Sequence, residues 1–400
     1  MRPGFPRLLV ATEFAPNASG GGPVIVRQML SGWPQEKLFW WNCLTDRDAP
    51  FDQPLAAHRV AHIPKRLYPH RRYRSIKSSL LKNVWAPLAA LHLRTTISRL
   101  KPDVIWAIPH GWSIPPLGRA LLGNEIPFHV SIHDFADINS CVFRFGLRRA
   151  RRMAAITDAL YSTATTRDAI SEPMLVDLHS RTGHNGALVR AGLEPSDFSY
   201  LADKASSPTA EIRIAYAGTI IVEETFACFV EALQRVRPQL AKRISLEFFS
   251  AHSYRARPWF DPSCMQEHGL YSEAELSHAL KDFAWGFAPM SLDDNDPRYN
   301  RFSLPTKFVS YLAAGLPIIT LGHPESSLIK LARAYDIGPC VASAKPAAID
   351  QELLRALSNE NPWAVFRSEV QRCAHAEFDA ERMRKTLWES FSASTGQVAT

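Results

Sequence analysis

Four segments of this 400-residue chain carry residue types that could do chemistry at spacings that make them useful. The first is Ser303-Leu-Pro-Thr-Lys307, followed by Tyr311-Leu-Ala-Ala-Gly315-Leu-Pro317. Ser303 reads as an N-cap, Pro305 suits the first helical position, and Gly315 suits the left-handed residue that ends a helix. Lys307 then falls in the first turn, where a cation opposes the helix dipole. That placement makes sense if an anion such as a diphosphate binds there; a solvated surface lysine is the plain alternative. The second is Gly20-Gly21-Gly22, directly after an apolar run and before a helical one. Glycines let the backbone approach a ligand, and a helix N-terminus offers N–H groups to an anion. The pattern is neither GxGxxG nor a Walker lysine loop, which excludes those two nucleotide motifs.

The third is His133-Asp134, at the end of the strand-like run Phe128–Ile132. A histidine there faces the ligand end of a sheet, with the acid to orient it or hold a hydroxyl. The fourth is Gly218-Thr219, at the exit of the run Ile212–Tyr216, with His252 just after the next apolar run as a candidate for a nucleoside pocket. Asp293-Asp294-Asn295-Asp296 has no metal-ligand spacing and reads as a solvated loop.

The elements that must position these residues follow the order of an open α/β sheet. Strands are expected at Leu8–Thr12, Leu38–Leu44, Val104–Ile108, Phe128–Ile132, Ala159–Thr163 and Ala187–Arg190. A polar stretch from Glu194 to Ala210 follows, and the cycle restarts at Ile212, with strands at Ser245–Phe249, Trp285–Pro289 and Pro317–Thr320. Helices are expected from Pro23, over Phe226–Leu240, Thr306–Ala314 and Ser326–Tyr335, and from Ala376 to the end. The expected division is residues 1–193, a linker 194–211, a second domain 212–375 and a helical tail 376–400.

Composition agrees with a folded two-domain protein. Apolar residues make up 46% of the chain and the net charge is +7. Residues 1–200 hold 25 basic and 15 acidic side chains, a balance of +10; residues 201–400 hold 21 and 24, a balance of −3. Between Gln53 and Pro102 there is no acid and there are 11 Lys or Arg, among them Arg66, Arg71, Arg72, Arg74 and Lys77. Tyr68, Tyr73 and Trp85 are interspersed, and Leu80, Leu81, Val84, Leu88 and Leu91 recur at helical spacing. Such a segment suits an anionic membrane surface; a solvated basic face over a core stripe is the alternative. No nucleic-acid motif is present, so nucleic acid is not the expected partner. Six scattered cysteines and no long apolar run predict a reduced, cytoplasmic chain without a membrane span.

The glycine loop, Ile132-His133-Asp134, Ala217-Gly218-Thr219 and the Ser303–Pro317 segment occur in the order found in the GT-B glycosyltransferases, and the chain resembles their retaining family 4, especially a polysaccharide and lipopolysaccharide subgroup. The resemblance spans nearly the whole chain, with residues 302–319 its most specific part. It implies two Rossmann-like, doubly wound α/β domains facing one another across a cleft. The implied reaction transfers a sugar from a nucleotide-diphosphate sugar, with retention, to a lipid-linked or polysaccharide acceptor. The co-substrate takes the place of a cofactor, no metal is implied, and the enzyme would sit at the inner membrane face. By position, His133 and Asp134 are the implied catalytic residues. Gly21, Gly22, Gly218, Thr219, His252, Arg301, Pro305, Thr306, Lys307 and Ser310 are the implied donor contacts, and the basic segment is the implied membrane or acceptor patch. The chain departs from the family at Phe302 and Ser310, which stand where many members carry two glutamates, and at Ile220–Thr225, where an Arg/Lys pair is usual. A catalytically silent GT-B scaffold and a nucleotide-sugar epimerase are the competing readings.

Overall fold

A computed structural model describes residues 4–16, 21–43, 55–67, 73–123, 125–135, 142, 145–204, 211–359 and 361–395. The chain divides into two compact units, Met1–Arg190 with Arg382–Thr400, and Ala191–Glu381. Each is built on one wholly parallel sheet.

In the first unit the strands are β1 (Leu8–Thr12), β2 (Leu38–Asn42), β3 (Ala57–Val60), β4 (Val104–Ala107), β5 (Phe128–Ile132), β6 (Thr166–Ala169) and β7 (Ala187–Leu188). Their order is β3-β2-β1-β4-β5-β6-β7. Leu8 pairs with Leu38 on one side and Val104 on the other. β1, β2, β4 and β5 are buried along their whole length, which explains their unbroken apolar runs. The order reverses at β1/β4, the switch point beyond which open parallel sheets bind ligands.

The second unit repeats the plan with β8 (Glu211–Ala217), β9 (Arg243–Phe249), β10 (Met265–Gly269), β11 (Trp285–Pro289), β12 (Ile318–Leu321) and β13 (Cys340–Val341), in the order β10-β9-β8-β11-β12-β13. Its core is unusually aromatic. Phe229 stacks on Phe287 with centroids 3.6 Å apart, and Phe226, Phe248 and Trp285 are fully buried.

Three expectations are corrected. Residues 159–163 are not a strand but the end of the Leu147–Thr163 helix. Ala150, Met153, Thr157, Leu160 and Tyr161 are buried at helical spacing, and a five-residue apolar window hides that period. The sheet closes instead through Thr166–Ala169, whose Thr-Arg-Asp sequence looks polar in isolation. Its Asp168 is fully buried and accepts from His129 Nε2 at 2.7 Å and Ser131 Oγ at 2.8 Å. The stretch 194–211 is not all linker: Pro195–Asp203 is a helix, with Pro at its first turn and a reciprocal cap between Glu194 and Asp197. The tail is two helices, Pro362–Glu377 and Ala380–Ser394, broken at Phe378-Asp379. From Arg382 onward it belongs to the first unit, where Phe391 is fully buried against Trp33 and Trp106 and the Trp388 indole donates to Met29 O at 2.9 Å.

Candidate active site

At the strand ends of the first unit, β1, β4 and β5 lead to Glu13, to His110 and to His133 with Asp134. Glu13 follows β1 and is 2% exposed. Its carboxylate accepts from the Trp112 backbone N–H at 2.7 Å and from His110 Nδ1 at 2.8 Å. Gly111 makes this possible. It has φ +48, and a Cβ there would lie 2.4 Å from the carboxylate oxygens, so only glycine fits. With Nδ1 turned to Glu13, His110 presents Nε2 toward Asp134, 4.0 Å away. A buried carboxylate hydrogen-bonded to one ring nitrogen fixes the orientation of the imidazole.

His133, just past β5, is 8% exposed, and its Nδ1 has no hydrogen-bond partner among the described residues. Burial pushes its imidazole down to about 4, against the pull of Asp168. The ring is therefore neutral across the physiological range. Asp134 keeps 41% of its side chain open; loss of surrounding water raises its carboxyl, and His110 works the other way. The Gly21–Met29 helix begins at the glycines themselves rather than at Pro23. A Cβ on Gly22 would lie 3.7 Å from His133 Nδ1, so the glycine keeps the space beside that nitrogen open. Gly20 lies outside the described residues. The sequence reading missed Glu13 and His110; the available signal was a charged or imidazole side chain within three residues of the end of an all-apolar strand.

At the strand ends of the second unit, the Thr306–Ala313 helix starts on Pro305, which is extended (φ −63, ψ 127) and makes no side-chain cap. Ser303 is not the N-cap expected: it closes the preceding helix, Pro297–Phe302. Gly315 ends the later helix with φ +64. Lys307, in the first turn, reaches back to β8. Its amine donates to the Tyr216 hydroxyl at 2.7 Å and lies 3.9 Å from the Tyr216 ring centroid, and its Cε would touch a Cβ on Gly218 at 3.9 Å. Tyr216 donates on to Thr219 O at 3.0 Å, and Tyr311 accepts from Ala217 N at 2.8 Å, so the strand exit is held by two tyrosines. Loss of water pushes the Lys307 amine down to about 7. Among the described residues no carboxylate pairs with it. This half-buried amine at the N-terminus of a helix therefore stands where a cation is disfavoured by the helix dipole and by loss of water.

Gly218, Thr219, Pro305, Thr306 and Lys307 thus share one place, and Tyr216 is the member that the sequence reading missed. Ser310 is half-buried one turn further along the helix. His252 is exposed beyond β9, where its backbone N–H donates to Ser250 Oγ, and no hydrogen bond joins it to Lys307. Arg301 is exposed and pairs with Asp294 at 3.5 Å. The acidic loop serves its own turn: Asp293 accepts from Ser291 and Asn295, and Asp296 caps the Pro297–Phe302 helix. Among the described residues no three His, Cys, Asp or Glu side chains are grouped to hold a metal.

Comparison with solved structures gives the same architecture from outside. The α,α-trehalose-6-phosphate synthase of Burkholderia multivorans superposes with a TM-score of 0.65 at 13% identity, covering 99% of each chain. A UDP-forming α,α-trehalose-phosphate synthase of Burkholderia xenovorans, solved with glucose-6-phosphate, gives 0.61 at 11%, over 96% of this chain and 100% of that one. Sucrose-phosphate synthase of Thermosynechococcus elongatus gives 0.61 at 11%, over 95% and 96%. The fold is therefore the GT-B pair of Rossmann-like domains. No protein-family model matches the chain, and no curated protein matches it in sequence.

Proposed function

We propose that the protein transfers a sugar from a nucleotide-diphosphate sugar to a lipid-linked or polysaccharide acceptor, with retention, at an anionic membrane surface. The observation that carries the donor half is Lys307: an amine with no carboxylate partner among the described residues, at a helix N-terminus, beside the left-handed Gly218 at the switch point of the second sheet. A departing diphosphate gains charge, so fixed positive groups there lower the barrier. Thr306 and Lys307 would hold the diphosphate, with Gly218 and Thr219 leaving room for it. UDP-forming synthases among the structural neighbours support a nucleotide-sugar donor. In the first unit, neutral His133 is assigned to the transferred sugar. Asp134, with Glu13 and His110 behind it, is assigned to the hydroxyls at that centre. With no carboxylate at Phe302 or Ser310, positive charge at Lys307 takes a larger share of donor binding than a ribose-binding acid would.

Product analysis separates this reading from its rivals. With a nucleotide sugar and a membrane extract, a transferase releases nucleoside diphosphate and labels the extract. An altered free sugar nucleotide formed without any acceptor would mark an epimerase, and binding with no turnover in any extract would mark a scaffold.

The membrane half rests on one helical run. Arg74–Leu80, a π-helical turn Leu81–Trp85 and Ala86–Leu100 are continuous. The expected stripe divides in two. Leu81 and Trp85 are buried, whereas Tyr73, Ile76, Leu80, Val84, Leu88 and Leu91 are exposed, from 41% at Leu80 to 63% at Tyr73. A row of large apolar side chains facing solvent at helical spacing marks an interaction surface, and the half-buried Arg74 and Lys77 beside it, with exposed Arg66 nearby in sequence, choose an anionic one. Arg71 and Arg72 lie outside the described residues. No helix among the described residues is long and apolar enough to cross a membrane. Ile76→Ser with Val84→Ser and Leu88→Ser should reduce co-sedimentation with phosphatidylglycerol vesicles at least tenfold and leave the melting temperature unchanged, since all three side chains are more than half exposed. Sedimentation equal to wild type would remove the membrane assignment.

A further inference from the structure

A cavity lies wholly within the first unit; Trp112, whose backbone N–H is held by Glu13, separates it from the polar cluster at the strand ends. It has a volume of about 260 Å³, opens to solvent on one side and lies between the π-helical turn at Lys82, the Ile114–Leu121 helix and the Leu147–Thr163 helix. Its inner wall is apolar, formed by Trp112, Met153 and Ile156 among others. Its rim is cationic: Lys82, Arg119, Arg149 and Arg152 all line it. Arg149 donates to the Ser75 and Phe145 carbonyls, but none of the four pairs with an acid among the described residues. Burial and the neighbouring Arg152, Arg149 and Arg119 charges together lower the Lys82 amine, so the cluster repels itself. Trp112 is fully buried, and its indole N–H has no acceptor among the described residues.

Four cations converging without an acid are unfavourable unless an anion joins them. A wall of Met and Ile offers a free, hydrated anion no hydrogen bonds, whereas it gives an acyl chain an apolar surface. We infer that this cavity binds a phosphate-bearing amphiphile, with its phosphate among Lys82, Arg119, Arg149 and Arg152 and its apolar chain against Trp112, Met153 and Ile156. The ligand class is an anionic lipid phosphate, taken up beneath the helix that carries the exposed apolar stripe. The closeness of the helices is built in. Gly118 lets the Ile114–Leu121 helix meet Ile156, since a Cβ there would lie 2.5 Å from the isoleucine.

The test uses the full chain and monomeric short-chain probes, so that no vesicle is needed. Dihexanoyl phosphatidic acid should bind the wild type and raise its melting temperature. Dihexanoyl phosphatidylcholine, glycerol 3-phosphate and inorganic phosphate at the same concentration should not. Arg119→Glu with Arg152→Glu, both at exposed positions, should raise the phosphatidic acid Kd at least tenfold. Lys82→Met should do the same by removing one cation at nearly constant volume. An equal response to glycerol 3-phosphate or phosphate would overturn the amphiphile assignment, and no response to phosphatidic acid in folded wild type would overturn the site. The same samples are titrated with nucleoside diphosphates. A nucleotide response without a lipid response counts against the cavity alone, and a lipid response without a nucleotide response counts against the donor reading alone.

Discussion

Replacing Lys307 by methionine should weaken nucleoside-diphosphate binding by about 10- to 100-fold, the worth of one charge-assisted hydrogen bond of roughly 1.5–3 kcal/mol. It should also make the unliganded protein more stable. The two effects have one origin. Methionine keeps the aliphatic packing on Tyr216 but removes an amine that has no carboxylate partner among the described residues. The amine is pushed from its ordinary 10.5 down to about 7 in the folded chain. Between those values the unfolded chain carries a proton that the folded chain lacks, so stability rises with pH from about 7 to 10.5 and is lowest below 7. The methionine variant should therefore exceed wild type in melting temperature at pH 6, and the difference should vanish near pH 10. Binding should run the opposite way. An anion needs the charged amine, so wild-type affinity should be greatest at or below about pH 7 and fall above it, with a proton taken up on binding. Calorimetry in two buffers of different ionisation enthalpy reads that proton. A variant that binds as wild type, with the same pH profile, would remove Lys307 from the site.

His133→Ala should lower kcat by about 10²–10³-fold, the range found for removing one fixed polar group at a reacting centre, with the donor KM changed less than about threefold in the same comparison. The expectation rests on a buried ring with an unpartnered Nδ1 facing the space that Gly22 keeps open. Because burial holds its imidazole down to about 4, His133 is neutral throughout the assay range, and the kcat profile should show no histidine-like step from this residue between pH 5 and 9. His133→Asn, which restores a neutral polar group, should recover part of the loss. Gly22→Leu should imitate the alanine variant by filling the space beside Nδ1. Wild-type kinetics in His133→Ala would mean that the ring is a packing element of the loop.

Much of the fold was legible because buried parallel strands advertise themselves. β1, β4, β5 and β11 are short apolar runs with helical periods between them, and the sequence places each within a residue or two. The Thr306–Ala313 helix was readable from Pro305 and Gly315, two residues whose backbone preferences mark its ends. What failed did so for identifiable reasons. Thr166–Ala169 looks polar because Asp168 is satisfied by His129 and Ser131 from the neighbouring strand, a pairing that no local window contains. Residues 159–163 look like a strand because five residues cannot reveal a 3.6-residue period. The two faces of the Arg74–Leu100 run blurred into one stripe because the π-helical turn at Leu81–Trp85 shifts its phase. Of the strand-end residues, His133, Gly218 and Lys307 stood out by type and position. Glu13, His110 and Tyr216 did not, since each acquires its meaning from a contact about 90 or more residues away in sequence.

The central claim is that the second unit holds a nucleoside diphosphate at Lys307, and a thermal-shift panel of UDP, GDP, CMP, dTDP and ADP tests it most directly. A ligand at 100 times its Kd adds about 2.7 kcal/mol, which moves the melting point of a unit of this size by roughly 5–10 °C. The account predicts such a shift with one of the diphosphates in wild type and its loss in Lys307→Met. No shift with any nucleotide at millimolar concentration, in protein shown to be folded, would contradict it.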